Sequence, residues 1–292
     1  MQVLKFLFFL FLCVVSVSAK QVDLANIAVT PKMAVLYAAD AYLQPNDFKI
    51  KYKKKDNKVG SALYNGVRLY AIEESEYIVF IFRGTATIKN TKTDMNAGAS
   101  TFLGIKGTKV HKGFYNIAVN SKKIFKNLIA KNKPIFIVGH SLGGAISVLL
   151  GAMLNKENTS EVVVYTFGSP PVGNQKFIET IEGLKHYRYV HKHDPIAKIN
   201  EEFAKKLNKS LTKIENKLIG KVKYKALLIN IQSLKLLFLN LDYDYIHDDY
   251  QMILLDGKIV PSNKLKKYPL WVKFLFTPFN AHTIDTYKLN IL

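Results

Sequence analysis

The sequence predicts an α/β domain with a mainly parallel central sheet and helices on both of its faces. Two observations carry this. Short apolar, β-branched runs at residues 135–138, 162–167 and 187–190 alternate with stretches of helical composition, the alternation that builds βαβ units. One junction, Pro134-Ile-Phe-Ile-Val-Gly139-His140-Ser141-Leu142-Gly143-Gly144-Ala145, sets a serine between glycines where a strand hands over to a helix.

Residues 30–43 read as a helix: Thr30 can cap it, Pro31 sits at its first position, and Met33, Leu36, Tyr37 and Ala41 form an apolar stripe. Residues 49–58 are polar and basic, expected as a solvated loop or edge strand. Residues 62–71 and 77–82 alternate or run apolar, an antiparallel hairpin turning at 73–76. Residues 87–109 show no sustained period and are expected as a long loop with at most one helical turn. Ile117, Ile124, Leu128 and Ile129 mark one helix over 114–131. Residues 145–154 have the Ala, Leu and Met content of the helix after Ser141.

Residues 201–241 differ in character. Phe203, Leu207, Leu211, Ile214 and Leu218 recur at helical spacing among Lys205, Lys206, Lys209, Lys213 and Lys217, and 226–241 is almost continuously apolar. Two readings fit: a surface helix packed on the domain with its lysines in water, or a basic amphipathic helix lying on a membrane surface.

The first residues read as a secretory leader over 1–19: Lys5, an apolar run at 6–15, and Val17-Ser18-Ala19 before Lys20. That run is short of the ~20 residues a bilayer span requires. The single cysteine, Cys13, falls inside the leader, so residues 20–292 hold no thiol for a disulfide or for catalysis. A chain of about 270 residues buries enough apolar surface without disulfides. The formal net charge of +20 favours anionic surfaces such as phospholipid head groups. The lysines are dispersed and not interleaved with aromatics on one face, so no nucleic-acid partner is expected. The histidines are too few and scattered for a metal site, and no cofactor is expected. Asn158 and Asn208 head N-x-Ser/Thr acceptor triplets.

Gly139-His140-Ser141-Leu142-Gly143 fits G-x-S-x-G. The glycines clear space for a serine held on a sharp turn with its hydroxyl exposed, and the helix start behind it offers backbone N–H groups to a developing oxyanion. Such a serine needs a histidine to take its proton and a carboxylate to orient that histidine, in the chain order Ser, Asp, His. Asp194 lies just past the 187–190 run, with Asp242, Asp244, Asp248 and Asp249 as competitors. For the base, His247 and His282 both remain open on position alone.

Four motifs in order, Phe82-Arg83-Gly84-Thr85, Val110-His111-Lys112-Gly113-Phe114, the stretch around Ser141, and Thr166-Phe167-Gly168-Ser169-Pro170-Pro171-Val172-Gly173-Asn174, resemble those of the class 3 lipases, the fungal triacylglycerol lipase family of α/β hydrolases. The likeness runs from about residue 30 to the C-terminus. It implies an α/β-hydrolase fold as a single domain over 20–292 with a basic insertion near 201–241. It further implies Ser141 as nucleophile, Asp194 as acid and His282, followed by Tyr287, as base. His247 matches an upstream histidine that is not the base. The backbone N–H groups of Thr85 and Leu142 match the oxyanion hole. The implied partner is a lipid or other ester substrate; the basic charge adds an expected peripheral contact with an anionic membrane surface.

The chain departs from the family pattern in three places. Pro171 stands where arginine is usual, Asp194 is followed directly by Pro195, and Ala197-Lys198 replaces a proline-containing end. Residues 87–95 align with the family's lid but carry Lys89, Thr91, Lys92 and Thr93, closer to feruloyl-esterase-like members. A polar lid has little apolar area to bury at an oil interface, at ~25 cal/mol per Å². The expected activity is therefore acyl-ester hydrolysis of lipids, with soluble or cell-wall esters as the alternative substrate. A catalytically silent lipid-binding protein is the rival from another class.

Overall fold

The computed structural model describes residues 28–84, 98–158, 160–191, 194, 196–198, 209, 212–213, 216, 245–246, 251–255, 258–261 and 283–292. The leader at 1–19, Thr85, the lid-like segment 87–95, all but four residues of 201–241, Asn208, His247, His282 and the four competing aspartates lie outside them.

An eight-stranded sheet organises the fold. Its strands are β1 (Lys58–Tyr64), β2 (Val67–Glu73), β3 (Ile78–Phe82), β6 (Ile135–His140), β7 (Val162–Phe167), β9 (Lys185–His191), β11 (Gln251–Leu255) and β12 (Lys258–Pro261), adjacent in that order. The pairings from β3 through β11 are parallel; β1–β2, β2–β3 and β11–β12 are antiparallel. A second, four-stranded sheet joins β4 (Ala99–Ser100), β5 (Val110–His111), β8 (Gly173–Asn174) and β10 (Tyr245–Ile246) in the order β10-β8-β5-β4.

Helices cover both faces of the large sheet, as the sequence predicts. The helices are α1 (Pro31–Asp40), α2 (Pro45–Tyr52), α3 (Lys112–Ile124), α4 (Lys126–Ile129), α5 (Leu142–Lys156), α6 (Gln175–Thr180) and α7 (Ile284–Ile291). Strand alternation sorts the core: Ile135 and Ile137 of β6 join the cluster with α3 and α5, while Phe136 and Val138 join the one with α1, α2 and α7. Every residue of α5 from Leu142 to Leu154 is buried, which accounts for its nearly uniform apolar composition. In α1, the Thr30 hydroxyl accepts from the Met33 N–H at 3.3 Å, and Pro31 opens the helix.

Three expectations are corrected. Of the loop or edge strand expected over 49–58, residues 49–52 instead end α2, which Pro45 starts and in which Phe48 stacks on Tyr70 at 3.9 Å between ring centroids; Lys58 opens the edge strand β1. The hairpin is a three-stranded meander, because Asn65 (φ 45°) and Gly66 (φ 74°) form a tight turn between β1 and β2 before the turn at 74–77. Asn-Gly is the pair such turns favour. The single helix over 114–131 is divided at Phe125, whose φ −90° and ψ 4° separate α3 from α4. Phe125 spends that break on packing, stacked 4.1 Å from Phe80.

Candidate active site

Ser141 sits between the end of β6 and the start of α5 with φ 55° and ψ −124°. An L-residue at positive φ with that ψ is strained by about 1–3 kcal/mol, and the glycines around it show what enforces the turn. A methyl group on Gly139 would lie 2.2 Å from the Gly143 carbonyl oxygen. One on Gly143 would lie 2.1 Å from the Phe82 oxygen, and one on Gly144 2.8 Å from Ser169 Cβ. Strand and helix approach too closely for any side chain there. The Ser141 N–H donates to the Phe167 oxygen at 2.9 Å, pinning the turn to β7. Ser141 is partly exposed between buried His140 and Leu142, and its side chain does not cap α5. Leu142 opens the helix, so its N–H is among those with no intrahelical partner and lies at the positive end of the helix dipole.

Asp194 follows β9. Since β6, β7 and β9 run parallel, their C-terminal ends share one edge of the sheet, and β6 and β9 stand two strand spacings apart, about 10 Å. Asp194 is fully buried. Its N–H donates to the His191 oxygen at 2.9 Å. Oδ1 accepts from the N–H groups of Ile196 (2.8 Å) and Ala197 (3.3 Å), and Oδ2 from the Tyr287 hydroxyl (2.5 Å). Three donors offset the desolvation of an acceptor-only group. Burial, and next the Asp194 charge, push the Tyr287 pKa well above its ordinary value, so this phenol stays a proton donor. The Tyr287 oxygen in turn accepts the His191 N–H at 3.1 Å.

Tyr287 also joins the two halves of the site. Its ring meets the His140 ring edge-on, with centroids 6.0 Å apart, so the residue before Ser141 and the carboxylate of Asp194 share one neighbour. Of the five site residues expected from sequence, the structure thus sets Ser141, Leu142 and Asp194 along one sheet edge. Thr85 and His282 lie outside the described residues; the first follows Gly84 beyond β3, and the second directly precedes Thr283, the N-cap of α7.

Sequence reasoning overlooked Arg188 and Tyr42. Arg188, inside β9, is 1 % exposed; its Nη2 donates to the oxygens of Ala197 (2.5 Å) and Ser169 (3.3 Å), tying the Asp194 turn to the loop after β7. Its signal was a lone charge inside the apolar run at 187–190. The Tyr42 hydroxyl pairs with His140 Nδ1 at 2.8 Å, a contact across 98 residues that no local pattern reveals. Among the described residues, no group of three His, Cys, Asp or Glu is placed to hold a metal ion, and no helix is long and apolar enough to cross a membrane.

Comparison with known proteins gives a consistent result. The family profile described as Lipase (class 3) matches residues 79–204. The chain is 34% identical over 110 residues to Toxin TseL of Vibrio cholerae, covering 37% of this chain and 17% of that protein. It is 34% identical over 131 residues to secreted mono- and diacylglycerol lipase 1 of Fusarium solani, covering 42% and 39%. The chain therefore matches well under half the length of these curated relatives. The solved triacylglyceride lipase of Rhizomucor miehei superposes with a TM-score of 0.56 over 85% of this chain and 91% of that one at 17% identity, a likeness of fold. The matched span takes in β3 from its second residue, the Ser141 turn, β7 and the Asp194 turn, so this part of the chain is similar to the class 3 lipases.

Proposed function

We propose that this protein hydrolyses carboxylic esters of lipids through an acyl-enzyme. Ser141 Oγ attacks the ester carbonyl carbon as His282 takes its proton, with Asp194 orienting the imidazole. The tetrahedral oxyanion is held by the N–H groups of Thr85 and Leu142, each worth about 3 kcal/mol by analogy with measured oxyanion donors. Collapse expels the alcohol, which receives the proton from His282. Water, activated by the same base, then releases the acid and restores the serine. The reading needs no cofactor.

The observation that carries it is the Ser141 backbone at φ 55°, ψ −124°, a strained non-glycine conformation enforced by three glycine contacts. Backbone strain of this kind accompanies sites where a side chain must be presented. The buried Asp194 on the same sheet edge, held by Ile196, Ala197 and Tyr287, supports the assignment of the acid. In this reading residues 20–292 form one domain, and residues 1–19 direct secretion, as the name of the Fusarium solani relative suggests for its own case. The net charge of +20 favours anionic lipid surfaces.

A second reading, a carboxylesterase on soluble esters, draws on the polar lid-like segment Lys89-Asn90-Thr91-Lys92-Thr93. Initial rates on a triglyceride emulsion, anionic phospholipid vesicles and a short-chain soluble ester, each beside Ser141→Ala, test both. A rate that rises when the substrate forms an interface and disappears in Ser141→Ala supports lipid hydrolysis. Smooth saturation on the soluble ester alone selects the second reading, and wild-type rates equal to Ser141→Ala on all three refute ester hydrolysis.

A further inference from the structure

The turn that presents Ser141 and the end of β3 that leads to Thr85 are separate pieces of chain, yet an oxyanion hole built from both works only if their spacing is held to a fraction of an ångström. The backbone brings them close: a methyl on Gly143 would meet the Phe82 oxygen, and one on Gly84 would lie 2.7 Å from the His140 oxygen. Close approach limits compression, but it does not stop the two segments from sliding or separating. A directional bond is needed for that.

Tyr42, just past the end of α1, supplies one. Its hydroxyl lies 2.8 Å from His140 Nδ1, and a methyl on Gly84 would come within 2.3 Å of the same oxygen. The Gly84 backbone therefore lies directly against this hydroxyl. Burial is the main influence on the phenol and pushes its pKa well up, against the Arg83 charge and the Gly84 backbone, so the group stays protonated at any working pH. The ring is held as well, edge-on to His140 with centroids 6.0 Å apart.

We infer that Tyr42 is a positioning residue: its hydroxyl bridges Gly84, which precedes the Thr85 oxyanion donor, and His140, which precedes Ser141, and so sets the distance between the two halves of the oxyanion hole. The inference rests on the ester-hydrolase reading. It does not involve contact between Tyr42 and substrate. The hydroxyl acts through the His140 ring that it bonds and the Gly84 backbone that it packs against, and its loss should be felt where the oxyanion forms, in the transition state more than in the bound ester.

The test compares full-length wild type, Tyr42→Phe and Tyr70→Phe on a soluble short-chain ester, with a boronic acid as transition-state mimic. The Tyr70 hydroxyl donates to the Leu43 oxygen at 2.9 Å, in the same neighbourhood but away from the site, and serves as the control for losing a buried hydroxyl. Tyr42→Phe should lower kcat about tenfold and weaken the boronic acid by a similar factor, with KM held within about twofold. Tyr70→Phe should keep kcat. Equal kcat and equal boronic acid affinity in wild type and Tyr42→Phe, or parallel losses in the two variants, would overturn the inference. Gly84→Ala, whose methyl displaces the same hydroxyl, gives an independent reading should Tyr42→Phe lose its cooperative melt; an unchanged kcat there also overturns it. Labelling of Ser141 by a fluorophosphonate separates the two levels. Wild type that is neither labelled nor active removes the ester-hydrolase reading and this inference with it, whereas labelled, active wild type beside an unaffected Tyr42→Phe removes the inference alone.

Discussion

The Ser141 turn and the cradle around Asp194 stand on the same sheet edge and are built in opposite ways. The turn is contiguous, Gly139 to Gly144, and its shape comes from repulsion: carbonyl oxygens at β3 and α5 leave no room for a single methyl. The cradle is discontinuous, drawn from Ser169, Arg188, the 194–197 turn and Tyr287, and held by attraction through hydrogen bonds. Repulsion between backbone atoms is steep and has no graded failure, while hydrogen bonds are lost one at a time at a net cost of about 1 kcal/mol each.

That contrast can be broken most forcefully at Gly143. Gly143→Ala would place a methyl 2.1 Å from the Phe82 oxygen, backbone that cannot swing aside, and should cost more than about 4 kcal/mol. Denaturant midpoints, or failure to obtain soluble protein, read this out; a midpoint near wild type would mean that the turn is softer than the sterics require.

A smaller effect is expected at His111, the last residue of β5 and the N-cap of α3. Its ring is buried against Phe114, with Nδ1 accepting the Phe114 N–H at 3.3 Å, and burial lowers its pKa to about 4. With the folded value below the unfolded one of ~6.5, neutral His111 contributes stability that is complete above pH 6.5 and lost as pH falls through 4. The limit is about 3 kcal/mol. His111→Asn keeps an acceptor without titrating, so urea midpoints at pH 7 and 4.5 should converge in that variant relative to wild type. Equal pH slopes would refute the assignment.

The mildest change is Tyr287→Phe. Removing one hydroxyl leaves Oδ2 of Asp194 short of a donor while the ring still packs on His140, so stability should fall by about 1–2 kcal/mol and kcat roughly tenfold. Graded losses here beside collapse at Gly143 would sustain the comparison; unchanged kcat would show that the remaining donors hold the carboxylate unaided.

The same contrast explains what could be read from the sequence. The Ser141 turn was legible because its signature is local: glycines, strand and helix lie within a dozen residues. The strand at residues 162–167 appeared with the same bounds because it is buried on both faces and reads as one apolar run. The meander was missed at Asn65-Gly66, a turn signal that is local and strong, because the polar strand before it has the exposed pattern of an edge and little apolar alternation. The break at Phe125 follows from stacking on Phe80, a residue 45 positions earlier. Arg188, Tyr42 and Tyr287 act through partners on other elements. Asp194 was chosen among five aspartates by position, while its burial and its hydrogen bonds belong to the assembled chain.

The Asp194–Tyr287 bond spans 93 residues, and that separation has a meaning in time. The residues that supply the steric contacts and the Phe167 bond shaping the Ser141 turn have all been synthesised once Ser169 is made. The carboxylate receives its Tyr287 donor only after Tyr287 has emerged, on the order of ten seconds later at 5–20 residues per second. In that interval the growing chain can hold a formed serine turn beside an acid that is not yet clamped. Assembly of the site is thereby ordered along the message, with the reactive geometry closing last.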